Sequence, residues 1–300
     1  MVTSRAAQPG TAPRDHERAL ILLAVCGLLW STGGVLIKLV DWNAMAIWSA
    51  RSAVVAVALW VIRRPSLARI SAAEWRAAGA LAANTGLFIL ANKLTTAANA
   101  ILIQYSSPIW VALLGAWLLR ERASRLDWLT IGVVLGGITL VFFEQLTLEH
   151  VAGNLVALAS GVASACTAMA FRKVAITPGP AGPSDPVRPM LLGNLIATLL
   201  GAPFMLASAP PGLTGWTVLI ALGLFQQTAA FLCYAWAIRH ATALETLLIP
   251  VIEPVLSPVW VALVVGERPG PRALVGGAIV VGAVTARALL GRRRATAPSG

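Results

Sequence analysis

An internal repeat constrains the fold of this chain more than any other feature of the sequence. When the sequence is shifted by 146 positions, nine of the 32 aligned pairs between 91–122 and 237–268 are identical, without a gap. Pro108 aligns with Pro254, and in both copies a Glu-Arg pair begins thirteen residues after the proline. A shared apolar composition raises the number of chance matches but does not explain this shared spacing. We therefore interpret the chain as two related halves.

The composition is typical of a membrane protein. Hydrophobic residues make up 58% of the chain and charged residues 12%, whereas about a quarter of the residues in soluble domains are charged. The apolar run 19–40 is too long for the core of a signal peptide, so it predicts a first spanning helix. With about 20 apolar residues per span, the sequence predicts ten spanning helices, at 19–40, 44–62, 74–92, 97–119, 127–144, 153–172, 189–208, 215–237, 243–265 and 273–290.

The basic residues indicate how the chain is oriented in the membrane. With the N-terminus inside, 17 of the 23 Lys and Arg residues fall on the cytoplasmic side, three fall outside and three lie within spans. This bias predicts a multi-pass membrane protein with both termini in the cytoplasm. The net charge of +11 is spread over short loops, so the expected partners are the lipid bilayer and a small-molecule substrate, and not nucleic acid.

The predicted fold is an all-α integral membrane protein of ten transmembrane helices in two inverted five-helix repeats. Each half has an odd number of helices, so the second copy enters the membrane from the opposite side. Inverted repeats are a recurrent design of transporters, with the substrate near the membrane midplane. The predicted divisions are a cytoplasmic tail at 1–18, the first repeat at 19–144, the second, inverted repeat at 145–290 and a basic cytoplasmic tail at 291–300, with a flexible Pro/Gly linker at 177–189.

Several residues recur at matching places in the two halves. They are Lys93, Pro108, Glu121-Arg122 and Gly132 to Gly137 in the first half, and Arg239, Pro254, Glu267-Arg268 and Gly276 to Gly282 in the second. This arrangement resembles the EamA domain of the drug/metabolite transporter superfamily. Within it, the Trp-rich ten-helix chain is most similar to the YddG-type bacterial exporters of aromatic and other neutral amino acids. The resemblance implies a secondary transporter of the bacterial inner membrane that exports amino acids by alternating access.

The prolines of the fourth and ninth spans predict one part of the substrate site. A proline within a helix removes a backbone hydrogen bond, and in a membrane the freed carbonyl either finds a partner or lines a wet cavity. Broken helices at matching repeat positions favour the cavity, although neighbouring helices can also satisfy a simple kink. Polar side chains stand beside both predicted helix breaks: Gln104, Tyr105 and Ser107 before Pro108, and Glu253 before Pro254.

The first, third, sixth and eighth spans supply the other candidate substrate-binding residues. Gln227, Phe231 and Tyr234 lie at i, i+4 and i+7 and therefore share one helix face. Such a stripe can also be ordinary packing, but the adjacent amides of Gln226 and Gln227 need partners in hydrocarbon. Trp30 lies mid-span, away from the interfacial belt where membrane tryptophans are common. The remaining candidates are Asn84 and Phe88 in the third span, Ser31 in the first and Ser164, with Ser160 beside it, in the sixth.

Charged residues within spans are functional candidates because they are costly in hydrocarbon. Arg51 and Glu253 either pair with each other, or Glu253 holds an ammonium group or a coupling proton while Arg51 lies near a carboxylate. Glu245 lies at a helix start near Arg239, and we expect it to be solvated. The glycines Gly132 and Gly136 form a GxxxG pair that predicts close helix packing.

No cofactor or metal site is predicted, and the chain is not expected to be an enzyme. The three cysteines and three histidines are scattered, without metal-ligand spacing, and no phosphate-binding GxxxxGK[ST] loop occurs. Three alternatives to amino-acid export remain open. They are export of drugs, nucleosides or other small metabolites, a membrane-embedded enzyme acting on lipid-linked substrates, and a structural or receptor-like membrane module.

Overall fold

The computed structural model describes residues 12–95, 97–143, 149–179, 182–183, 185–265 and 271–296. Most of the predicted N-terminal tail and the predicted Glu267-Arg268 motif lie outside the described residues. Nearly all of the described residues are helical. The sheet among them consists of two strands of two residues each, both within the predicted linker 177–189.

The first half runs as α1 (Ala12–Ser31), α2 (Gly33–Lys38), α3 (Ala44–Arg63), α4 (Ala72–Leu94), α5 (Ala97–Gln104), α6 (Ser107–Leu118) and α7 (Arg125–Phe142). Strands β1 (Pro178–Gly179) and β2 (Gly182–Pro183) pair antiparallel in the linker. The second half runs as α8 (Val151–Ile176), α9 (Val187–Ala207), α10 (Leu213–Ala221), a π-helical segment (Leu222–Ala229), α11 (Ala230–Ala237), α12 (Glu245–Leu248), a 3₁₀ turn (Ile249–Val251), α13 (Ile252–Val265) and α14 (Pro271–Thr296).

Several of these helices have the length and composition of membrane spans. In the described part of the chain five helical stretches meet both criteria, namely Ala44–Arg63, Asn99–Leu118, Val151–Ile176, Val187–Ala207 and Leu213–Ala237, and a shorter apolar helix covers Leu274–Arg287. Large apolar side chains such as Trp117 and Leu206 are 82% exposed on the outside of the bundle, as a lipid-facing surface requires. The total of ten spans and the limits of the two repeats stay predictions.

Equivalent helices of the two halves run antiparallel. Between α3 and α9, the hydroxyl of Ser49 donates to the carbonyl of Thr198 at 2.8 Å, and at the other end of the pair Arg63 lies 3.3 Å from Asp185. Between α7 and α14, Arg287 bonds Asp127 at 2.9 Å, while Gly137 and Gly276, near the opposite ends, bring the two backbones together. Antiparallel equivalents are the geometry that an inverted repeat produces.

The first helix of each half packs against the broken helix of the other half. A Cβ atom on Gly27 of α1 would lie 3.0 Å from the carbonyl oxygen of Pro250, in the 3₁₀ turn. A Cβ atom on Gly161 of α8 would lie 3.1 Å from the carbonyl oxygen of Gln104, at the end of α5. Glycine allows both close approaches, so the two halves interlock around the interrupted helices.

The predicted GxxxG contact is not formed among the residues that the structure describes. A Cβ atom on Gly132 or Gly136 would meet no atom of the described residues within 4 Å. The adjacent Gly137 makes the close contact instead, because a Cβ atom there would lie 3.0 Å from the carbonyl oxygen of Gly276. The face of α7 that meets α14 is therefore centred on Gly137.

Capping boxes stand at the starts of α4 and α7, and the same reciprocal pair of bonds lies in the turn that leads into α12. In each, a Ser or Thr side chain accepts a hydrogen bond from the backbone three residues later, and the acidic side chain at that position accepts one back. The three pairs are Ser71 with Glu74 at α4, Ser124 with Asp127 at α7, and Thr242 with Glu245 at α12. Three carboxylates are thereby placed at helix starts that the charge bias predicts to face the cytoplasm.

Candidate functional site

The two interrupted helices meet through one hydrogen bond. Tyr105 lies between α5 and α6, and its hydroxyl donates to Oε2 of Glu253, in the first turn of α13, at 3.0 Å. The two predicted proline breaks have the same local structure. Pro108 and Pro254 each stand in the first turn of the helix that follows the break. A proline there loses no intrahelical bond, since the first amides of a helix have no partner within it.

An amide cluster, consisting of Asn84, Gln104 and Ser160, joins α4, α5 and α8. The Nε2 group of Gln104 donates to Oδ1 of Asn84 at 3.2 Å and to the hydroxyl of Ser160 at 2.9 Å. The Ser160 hydroxyl in turn lies 3.4 Å from the carbonyl oxygen of Asn84. The structure therefore brings together two predicted residues, Asn84 and Gln104, from different helices of the first half.

An aromatic cluster, consisting of Trp30, Phe171 and Tyr234, lies between α1, α8 and α11. The ring centres of Trp30 and Tyr234 are 6.2 Å apart, and those of Phe171 and Tyr234 are 6.4 Å apart. The Tyr234 hydroxyl lies 3.3 Å from the hydroxyl of Thr246. Tyr234 and Thr246 are the repeat equivalents of Phe88 and Ala100, and Phe88 packs beside Ala100 in the first half.

The π-helical segment presents two adjacent amides to the interior. Gln226 and Gln227 are both buried. The Nε2 group of Gln226 lies 3.5 Å from the carbonyl oxygen of Trp30, whereas its Oε1 atom is buried with no hydrogen-bond partner among the described residues. The wider turn is accompanied by a hydrogen bond from the hydroxyl of Thr228 to the carbonyl of Gly223, five residues back, at 2.7 Å.

The other predicted residues have different surroundings. Phe231 belongs to an apolar cluster with Val55 and Leu81, and Ser107 is buried at the start of α6. The Ser31 hydroxyl accepts a hydrogen bond from the indole of Trp260 at 2.8 Å. Ser164 is partly buried on α8, one turn from Ser160. The structure thus places these predicted residues inside the bundle, but their contact with a substrate stays a prediction.

Arg51 and Glu253 do not pair with each other. The hydrogen bond to the carboxylate of Glu253 comes from Tyr105. Among the described residues, Arg51 has neither an ion pair nor a side-chain hydrogen bond. The alternative in which these two charges neutralise each other is therefore not realised in this structure.

Comparison with known proteins assigns the family. The model of the EamA-like transporter family matches residues 17–143 and again residues 151–286. This chain belongs to the EamA-like transporter family. Members of this family, which lies in the drug/metabolite transporter superfamily, carry small molecules across membranes. The two matched segments are the two halves that the internal repeat indicates.

Solved structures show the same fold. Matches extend to 29 chains. One of them, a crystal structure of another protein, is 24% identical and superposes with a TM-score of 0.74, covering 94% of this chain and 99% of that chain. At this identity the likeness shows the fold alone. Comparison with curated protein sequences finds no match.

A charged cluster lies at one end of this EamA-like transporter, and sequence reasoning did not find it. Arg287 of α14 bonds Asp127 and Glu245, each at 2.9 Å. His16 of α1 lies 3.5 Å from the same carboxylate of Glu245. The prediction that Glu245 is solvated is therefore wrong, because Glu245 is only 4% exposed and its carboxylate accepts a hydrogen bond from the backbone of Thr242 at 2.9 Å. The cluster comprises His16, Glu121, Asp127, Arg172, Glu245 and Arg287, and a further ion pair joins Arg188 to Glu74 at 3.3 Å.

Much of the charged cluster joins the two halves of the transporter. Arg172 of α8 bonds Glu121, in the loop after α6, at 2.8 Å, and donates to the carbonyls of Ile238 and Arg239. Glu121 also accepts a hydrogen bond from the backbone of Ala243 at 3.0 Å. The sequence signal for part of this cluster was present in two of the Ser/Thr-x-x-Asp/Glu pairs, which place Asp127 and Glu245 at helix starts.

No metal centre is formed by the described residues, where no group of three or more His, Cys, Asp or Glu side chains is placed to hold an ion. The polar centre of this EamA-like transporter consists of amides, hydroxyls, aromatic rings and one carboxylate. Groups of these kinds can form hydrogen bonds and ring contacts with an organic solute.

Proposed function

We propose that this transporter exports amino acids, the aromatic and other neutral ones, across the bacterial inner membrane by alternating access, with both termini in the cytoplasm. The observation that carries the proposal is the meeting of two interrupted helices at Tyr105 and Glu253. Helix breaks at matching repeat positions free backbone groups for a solute near the middle of the membrane.

The chemistry of the surrounding side chains supports an amphipathic solute. The amide cluster offers donors and acceptors on the first half. Trp30 and Tyr234 offer ring faces between the halves, and aromatic faces suit flat or apolar side chains. Glu253 is available for the ammonium group of an amino acid or for a coupling proton.

The charged cluster supports alternating access. Ion pairs between the halves hold one end of the protein together, while glycine contacts interlock the halves around the interrupted helices. A transporter that opens to either side in turn must separate such contacts at one end and reform them. Each state is favoured by the solute or proton that binds it more tightly.

The test is uptake of radiolabelled phenylalanine, threonine and methionine into liposomes that contain the purified protein, with and without an imposed pH gradient. Saturable uptake is the expected result, and a response to the gradient assigns proton coupling. If folded protein transports none of the three, amino-acid export is wrong. A competition panel of nucleosides and drugs would then identify the solute class within the family.

A further inference from the structure

Arg51 is a positive charge inside a predicted membrane span, and no described residue supplies its countercharge. It lies in α3 (Ala44–Arg63), about two helical turns after the helix begins. No described residue forms an ion pair with its guanidinium or accepts a hydrogen bond from it. Charges in this position are costly and are rarely left without a partner. A group outside the described residues is therefore needed to neutralise the guanidinium of Arg51.

The neighbours of Arg51 along α3 show which way its helix face points. One turn before it, the indole of Trp48 donates to the hydroxyl of Thr85 on α4 at 3.0 Å. Almost one turn after it, Val54 packs against Gly223 of the π-helical segment. Position 51 lies between these two on the helix surface. Arg51 therefore faces the space between α4 and the π-helical segment, and not the lipid.

Arg51 and Gln227 lie at about the same depth in the helix bundle. Arg63 and Arg239, near the ends of α3 and α11, both bond Asp185, so these two helices run in the same direction. Val55 of α3 and Phe231 of α11 belong to the same apolar cluster. Arg51 lies four residues before Val55, and Gln227 lies four residues before Phe231. The π-helical segment and α3 thus bring a guanidinium and an amide to about the same level.

We infer that Arg51 binds the carboxylate of the transported amino acid, with its side chain in the space between α4 and the π-helical segment. This inference rests on the proposed function and adds the group by which the substrate is recognised. The planar guanidinium pairs with a carboxylate through two parallel hydrogen bonds. A solute with a carboxylate then supplies the countercharge that the described residues do not.

The experiment compares phenylalanine with two analogues in proteoliposomes. Phenethylamine lacks the carboxylate, and 3-phenylpropionate lacks the ammonium group. In the unmodified protein, 3-phenylpropionate should compete for phenylalanine uptake, and phenethylamine should compete at least about tenfold more weakly. Arg51→Gln should raise the KM for phenylalanine by about tenfold to a hundredfold, because a charge-assisted hydrogen bond is lost. Arg51→Lys, which keeps the charge, should recover part of this loss.

Arg63→Gln is the matched control, since Arg63 lies on the same helix and its ion pair is exposed. This variant should keep the unmodified KM. An unchanged KM in Arg51→Gln, or equal competition by phenethylamine, would overturn the inference while amino-acid transport stands. Equilibrium binding of radiolabelled 3-phenylpropionate to the purified protein distinguishes failure of the carboxylate site from failure of the proposed amino-acid substrates. Binding that depends on Arg51 without amino-acid uptake would keep the carboxylate site and reject the proposed substrates, whereas neither binding nor uptake would reject both.

Discussion

Tyr105 and Glu253 connect the two halves of the chain by a 3.0 Å hydrogen bond between a phenol and a carboxylate. Their repeat equivalents are Val251 and Ser107, which can make no such bond. The contact is therefore an exception to the pseudosymmetry of the fold, placed where both central helices are interrupted. A single carboxylate at this position gives the two otherwise similar halves different chemistry.

Replacement of Glu253 tests whether that carboxylate carries a coupling proton. Glu253→Gln keeps the shape and can still accept the hydrogen bond from Tyr105, but it cannot take up a proton. We expect uptake by this variant to lose its response to an imposed pH gradient. The measurement is the initial rate of uptake in proteoliposomes across a pH series, with Tyr105→Phe as the variant that keeps the carboxylate. An identical pH profile in Glu253→Gln and unmodified protein would assign Glu253 a structural role.

Trp30 is expected to contribute a ring face to the solute. Trp30→Ala removes the ring beside Tyr234, 6.2 Å away. Since aromatic pairs are worth about 0.5–1.5 kcal/mol beyond their buried area, uptake of phenylalanine should fall about tenfold. Trp117→Ala is the control, because Trp117 is 82% exposed on the outside of the bundle. Equal uptake by the two variants would remove Trp30 from the site.

Gln227 is expected to contribute a polar contact. Its side chain is buried and makes no hydrogen bond to the described residues, so its amide is available to a solute. Gln227→Leu should reduce uptake about tenfold, the effect of one lost hydrogen bond, with the protein still inserted and monodisperse. Phe225→Leu, on the exposed side of the same π-helical segment, serves as the comparison. Normal flux in Gln227→Leu would contradict the assignment.

Gly161 is expected to be intolerant of any side chain. A Cβ atom there would lie 2.8 Å from the Ser106 hydroxyl and 3.1 Å from the carbonyl oxygen of Gln104. Gly161→Ala requires the Ser106 side chain to rotate and the backbone of the interrupted helix to shift slightly away from α8, and we expect a lower Tm and slower transport. Gly132→Ala introduces the same methyl group where no described atom lies within 4 Å. If both variants melt at the same temperature, the close packing of α8 is not required.

Arg287 is expected to hold the charged cluster together. Arg287→Gln leaves the buried carboxylates of Asp127 and Glu245 without their cation, and loss of one partner of a buried pair costs about 3–5 kcal/mol. We expect a lower Tm and greater labelling of cysteines introduced at this end of the protein. Arg63→Gln breaks an exposed ion pair and should change neither measurement. Unchanged labelling in Arg287→Gln would show that the cluster does not keep this end closed.

The sequence predicted the interruptions that proline causes and missed those caused by side-chain hydrogen bonds. The breaks near Pro108 and Pro254 follow from the ring of proline itself. The break after α1 has another origin, because the hydroxyls of Ser31 and Thr32 donate to the carbonyls three residues back at 2.6 and 2.7 Å. The π-helical segment likewise depends on local bonding that periodicity alone does not predict.

Candidate site residues were predictable where their chemistry was unusual for a membrane span. Gln104 and Glu253 stand out as polar residues in apolar runs, and the structure gives each a polar partner. Glu245 was misjudged because its cation, Arg287, lies 42 residues further along the chain. Contacts between residues so far apart depend on which helices pack against each other, and the local patterns of a single sequence do not reveal that packing.

The charged cluster also makes the transporter sensitive to salt on one particular side of the membrane. Ions screen charges more strongly as their concentration rises, with a screening length of about 8 Å in physiological salt and about 3 Å at 1 M. Several members of the cluster are partly accessible, including Glu121 and Arg172, whose side chains are 23% and 16% exposed. Electrolyte in the compartment that faces this end therefore weakens the attraction between the halves, while the same electrolyte across the bilayer leaves it intact. We therefore expect the transport rate in sealed vesicles to depend on which compartment contains the salt, and the more sensitive side identifies the compartment that this end of the protein faces.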